Sequence, residues 1–214
     1  MTSWGRGAVI SVTLGAMLVV GLASPAPAVG AGVIVAFGDS LTAGFGVAQD
    51  EAYPVRLEER LRREGYAYRV VNAGVSGDTT AGALRRVDWV VRAHPDVVIV
   101  AFGANDGLRG QSVAAMRDNL EAIVTRLRGA GARVLLAGMR MSPNYGDDYA
   151  REFAEAFPRV ARRTGVPLVP FLLDGVAAIA RLNLPDAIHP NADGHRIIAE
   201  HLWPFVAPLL RRNG

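Results

Sequence analysis

The chain has 214 residues, with 23 basic against 20 acidic side chains, a net charge of +3 and no cysteine. Half of its residues are apolar, which excludes a disordered chain, and the lack of Cys excludes a disulfide scaffold, a thiol nucleophile and Cys-ligated metal. Every basic residue is an arginine, scattered in ones and twos, so nothing forms a nucleic-acid stripe and no lysine can serve a Schiff base or P-loop.

The first thirty residues read as an address. Arg6 precedes an uncharged run, AVISVTLGAMLVVGLA at 8–23, and the small-residue stretch SPAPA ends at Ala28. A positive start, a short apolar middle and an A-x-A end predict a secretory signal peptide over 1–28, cleaved after Ala28. Sixteen apolar residues fall short of the roughly 20 that span a bilayer. The mature protein is therefore expected in the periplasm or outside the cell.

From residue 33 short β-rich runs alternate with longer helical ones. The segments 33–37, 68–72, 96–102, 133–138 and 166–171 read as strands, several of them continuous apolar runs as in a parallel sheet covered on both faces. Tyr53, Leu57 and Leu61 share one helix face, with Glu58/Arg62 and Glu59/Arg63 pairing at i,i+4 on another. Ser112 is a plausible N-cap for a helix carrying Val113, Met116, Leu120, Ile123 and Leu127, which Gly129 should stop. A helix over 150–163 is expected to be interrupted by Pro158, and one over 192–210 to be kinked or ended by Pro204 and Pro208. This alternation predicts one domain over 30–214, an α/β/α three-layer sandwich around a five-stranded parallel sheet.

In such sheets ligands bind beyond the carboxyl ends of the strands. There the sequence places GDSLTAG at 38–44 after the first strand, NAGVSGDT at 72–79 after the second and GANDG at 103–107 after the third. DAIHPN at 186–191 precedes the closing helix. Ser40 at a strand-to-helix turn is a candidate nucleophile if an imidazole takes its proton, and His189 is the candidate base. Asp186, three residues earlier, can hold the other ring nitrogen. The Ser40 N–H, the Gly77 N–H and the Asn105 side-chain amide are candidate oxyanion donors. Each residue alone has an ordinary explanation as a cap, turn or surface group; their joint occurrence at one predicted edge does not.

Other polar residues receive structural assignments. Asp39 should fix its turn by accepting backbone N–H bonds, and Asp78 should cap a helix starting at Thr79. His94 lies at the opposite edge, and His195 and His201 on the last helix are expected to pack or face solvent. No HExxH and no metal-ligand spacing occurs, so no metal is expected, and neither a P-loop nor a G-x-S-x-G elbow is present.

Together the four blocks FGDSLTAGFG, NAGVSGDTT, GANDGLRG and DAIHPNADGH resemble the GDSL, or SGNH, hydrolase family, in order and over about 33–205. GANDGLRG and PNYG at 143–146 resemble in particular its small thioesterase/lysophospholipase/arylesterase branch. The resemblance implies a flavodoxin-like sandwich without cofactor, with Ser40 as nucleophile, Gly77 and Asn105 at the oxyanion, and Asp186 and His189 completing the site. It also implies a mobile segment over 107–112 beside an acyl pocket. The expected protein is a monomeric hydrolase of small acyl esters or thioesters that binds no nucleic acid. A carbohydrate O-deacetylase would use the same residues in a polar pocket, and a non-catalytic binding module on the same fold is the rival of another class.

Overall fold

The computed structural model describes residues 1–2 and 32–211; the predicted signal segment lies almost wholly outside them. Five parallel strands form one sheet in the order β2-β1-β3-β4-β5. They are β1 (Gly32–Gly38), β2 (Tyr68–Gly74), β3 (Val97–Ala101), β4 (Arg133–Ala137) and β5 (Leu168–Val169). That order is the flavodoxin-like one, with its switch point between β1 and β3. All five residues of β3 are buried, as a strand between two helical layers requires.

The helices are α1 (Ser40–Ala43), α2 (Tyr53–Arg63), α3 (Thr80–Arg92), α4 (Ala104–Leu108), α5 (Val113–Gly129), α6 (Asp147–Thr164) and α7 (Ala192–Val206). α2 packs on α7, while α5 packs on both α3 and α6. The apolar stripe of α5 is buried as its spacing predicts, and Ser112 caps it by accepting the Ala115 N–H.

Several expectations need adjustment. β5 is only two residues long, because Pro167 and Pro170 flank it and neither has an N–H to extend the ladder. α6 begins earlier, after Gly146, with Asp147 and Asp148 in its first turn, and continues through Pro158 to Thr164. Burial of Phe153, Phe157 and Val160 offsets the hydrogen bond that the proline removes. α7 passes Pro204 but ends early, as expected, at Val206, giving way to a 3-10 turn at Ala207–Leu209 that contains Pro208. α5 runs through Gly129 itself. Thr79, not Asp78, caps α3 by accepting the Gly82 N–H. Glu58 and Arg62 pair at 2.8 Å, but Arg63 reaches Glu200 on α7 and Glu59 turns to Arg56.

Candidate active site

Ser40 is the first residue of α1, immediately beyond the carboxyl end of β1. Asp39 caps that helix by accepting the Leu41 N–H at 3.0 Å, as expected of it. The turn is tight: a Cβ on Gly38 would fall 2.0 Å from Thr42 Oγ1, so only glycine fits. Burial raises the Asp39 carboxyl to about 7, reinforced by the charges of Asp106 and Asp78.

The closing loop supplies the partner groups. His189 Nε2 lies 3.0 Å from Ser40 Oγ, and its Nδ1 lies 2.7 Å from Asp186 Oδ2. The other carboxylate oxygen, Oδ1, accepts the backbone N–H groups of Ile188 and His189, each at 2.9 Å. These bonds, led by that from the His189 N–H, hold Asp186 ionised and lower its pKa to about 2. An ionised Asp186 can only accept, so Nδ1 carries the proton and Nε2 presents its lone pair to the Ser40 hydroxyl. Ala187 takes φ +57 between them, a left-handed conformation costly for a residue with a Cβ. Antiparallel pairing of Asn183 with Pro190 closes the loop, and Asn191 caps α7 by accepting the Gly194 N–H.

The second loop lies on the other side of Ser40. Gly77 has φ +78, which favours glycine. Its carbonyl accepts from the Arg109 guanidinium at 2.8 Å, and the Asp78 carbonyl accepts from the Asn105 amide at 3.0 Å. The Gly77 N–H has no acceptor among the described residues. One hydrogen of the Asn105 amide remains available, and the Ser40 N–H opens a helix where no intrahelical carbonyl reaches it. Where this loop enters α3, Thr80 donates its N–H and hydroxyl to the buried Asp106 carboxylate, at 2.9 and 2.6 Å.

A cavity of about 420 Å³ opens beside Ser40, Asn105 and His189. Its walls are largely apolar, with Leu108, Met139, Met141, Tyr145, Phe171 and Leu173. Leu108 brings the 107–112 segment to the cavity, and Tyr149 ties that segment down by donating its hydroxyl to the Gln111 carbonyl. The sequence did not single out the wall residues of β4's outlet or Phe45, whose ring sits 4.5 Å from that of His189. The only signal for Phe45 is its place at the end of GDSLTAGF.

The remaining histidines lie apart from this chemistry. His195 is buried, accepts the Tyr53 N–H at 3.2 Å through Nδ1, and is lowered to about 4 chiefly by desolvation. His201 Nε2 donates to the Phe171 carbonyl, and His94 sits with Asp96 at the amino end of β3. Among the described residues no cluster of His, Asp or Glu could hold a metal, and no helix is long and apolar enough to cross a membrane.

Similarity to known proteins covers the same span. The esterase TesA of Pseudomonas aeruginosa is 39% identical over 83% of this chain and 89% of its own. Thioesterase 1/protease 1/lysophospholipase L1 of Escherichia coli is 33% identical over 87% of this chain and 88% of its own. A crystal structure of TesA superposes with a TM-score of 0.81 at 38% identity, covering 83% of this chain and 99% of that one. The profile of the GDSL-like Lipase/Acylhydrolase family matches residues 36–197, and the chain belongs to that family.

Proposed function

We propose that the protein hydrolyses carboxylic esters or thioesters of apolar acyl groups through an acyl-serine intermediate. The observation that carries this reading is the unbroken series from Ser40 Oγ through the His189 imidazole to the Asp186 carboxylate. Ser40 Oγ attacks the carbonyl carbon while its proton passes to His189 Nε2. Asp186, held ionised, stabilises the imidazolium. The Ser40 and Gly77 N–H groups and the free hydrogen of the Asn105 amide receive the oxyanion. As the tetrahedral species collapses, the bond to the leaving oxygen or sulfur breaks and Nε2 returns the proton to it. Water, deprotonated by His189, then repeats the sequence on the acyl-enzyme and releases the acid.

The methionine- and phenylalanine-lined cavity supports an acyl chain over a sugar ester, because an apolar wall offers a carbohydrate few hydrogen bonds. The relatives' names, esterase and thioesterase, agree with that class. Replacing Ser40 with Ala should abolish hydrolysis of p-nitrophenyl esters and labelling by a fluorophosphonate. A fully active Ser40→Ala protein overturns the reading.

The sequence of residues 1–28 supports export to the periplasm or beyond. Mass analysis of the exported protein should find an N-terminus at Val29; an intact Met1 on cytoplasmic protein overturns this part.

A further inference from the structure

Arg86 lies in the middle of α3, where the helical period calls for an apolar residue. Gly82, Ala83, Val87 and Val90 are buried on that face, and the neighbouring Arg85 is exposed. The Arg86 guanidinium instead reaches beneath the carboxyl edge of the sheet. Nε donates to Asp78 Oδ2 at 2.7 Å, Nη1 to the Ala73 carbonyl at 2.9 Å and Nη2 to the Gly38 carbonyl at 3.0 Å. Its cation also stacks 4.5 Å from the Phe37 ring and 5.5 Å from that of Phe102. One side chain thus touches the ends of β1 and β2, the residue following β3, and the loop between β2 and α3.

We propose that Arg86 is a positioning residue for the oxyanion donors; the inference rests on the hydrolase reading above. Each segment it binds adjoins a proposed donor: Gly38 is two residues before Ser40, and Asp78 follows Gly77. A guanidinium suits this task because its donors form a rigid planar fork, which can fix three acceptors in one plane. With the side chains of Arg86 and Asp78 only 24% and 12% exposed, water competes weakly for these bonds. The cavity walls contributed by Met139, Met141 and Phe171 belong to other segments, so loss of Arg86 should disturb transition-state stabilisation and leave acyl binding intact.

The test compares Arg86→Ala, Arg86→Lys and the exposed control Arg85→Ala, with active centres counted by end-point fluorophosphonate labelling. Per labelled centre, Arg86→Ala should lose roughly 10²-fold in kcat on p-nitrophenyl butyrate with KM little changed, as a donor misplaced by about 1 Å would cost. Arg86→Lys keeps a charge for Asp78 but not the fork, and should lose about 10-fold. Arg85→Ala should match the parent. The proposal is overturned if kcat per labelled centre is unchanged, if activity falls only in proportion to labelled centres, or if the loss appears in KM. Should Arg86→Ala fail to fold, Arg86→Lys decides by the same criteria. An active Ser40→Ala protein overturns the hydrolase reading; an inactive one beside a fully active Arg86→Ala protein overturns this inference alone.

Discussion

Two loops flank Ser40, and they are built in opposite ways. The 183–191 loop is closed by its own residues: Asp186 binds the N–H groups of Ile188 and His189, and the His189 carbonyl accepts from Leu184. The 74–80 loop is held mostly from outside, by Arg86 on α3, by Asn105 and Asp106 on α4, and by Arg109. The proposed acid–base pair is thus largely a local construction, with long-range contacts to Ser40 and to the Phe45 ring. The proposed oxyanion side is a tertiary construction, and its geometry depends on several elements docking correctly.

The largest effect is expected from breaking the local loop. Asp186→Asn should let Nδ1 lose its acceptor and reverse the His189 tautomer, lowering kcat by about 10⁴-fold with the fold retained. Steady-state kinetics beside circular dichroism check this, and a kcat within tenfold of the parent would count against the assigned role. Asn105→Ala removes a donor and the tether on the Asp78 carbonyl, so kcat should fall about 10²–10³-fold. An unchanged kcat would detach Asn105 from the reaction.

Acid should distinguish the frame from the loop. Asp186, lowered to about 2, stays ionised through mild acid. His195, lowered to about 4 from the ordinary 6.5 of a histidine, stays neutral when folded but charges on unfolding, so its contribution to stability rises with pH between about 4 and 6.5. Asp39 acts with the opposite sign. Raised from 3.8 to about 7, it keeps its proton when folded and loses it on unfolding, so stability falls as pH rises across that window. The two slopes oppose one another from about 4 to 6.5. Asp39→Asn should therefore expose the His195 slope, approaching 1.4 kcal/mol per pH unit, in denaturant titrations. A flat profile in that variant would contradict the assignment. The smallest effect concerns Ala187: glycine there should relieve the left-handed backbone and stabilise by up to about 1 kcal/mol, while loosening the Asp186–His189 spacing and lowering kcat several-fold. Greater stability with undiminished kcat would separate that backbone strain from function.

The same contrast governs what could be read in advance. Ser40, Asp186 and His189 stand in short blocks whose turn chemistry is local, so they were legible before any fold existed. The strands of the buried sheet were legible as apolar runs, except for β5, which two prolines cut short. Pro158 misled because packing of the apolar face of α6 outweighed a lost backbone bond, whereas α7 ends before Pro208, earlier than its apolar pattern alone implies. Asp78 reads as a cap because it precedes the helix, whereas an arginine eight residues on claims it. Arg86 had left a mark, a charge on an otherwise apolar helix face, but nothing local says which carbonyls it meets.

The chain's own pattern determined the family, the parallel layers and the proposed acid–base pair, because alternation, caps and a three-residue turn depend on neighbours in sequence. Only the folded arrangement decided which carbonyls Arg86 grips, where Asn105 anchors and what lines the cavity. The bonds of Arg86 and Asn105 to those carbonyls join residues 13 to 48 positions apart, and their partners are set by strand order and helix docking.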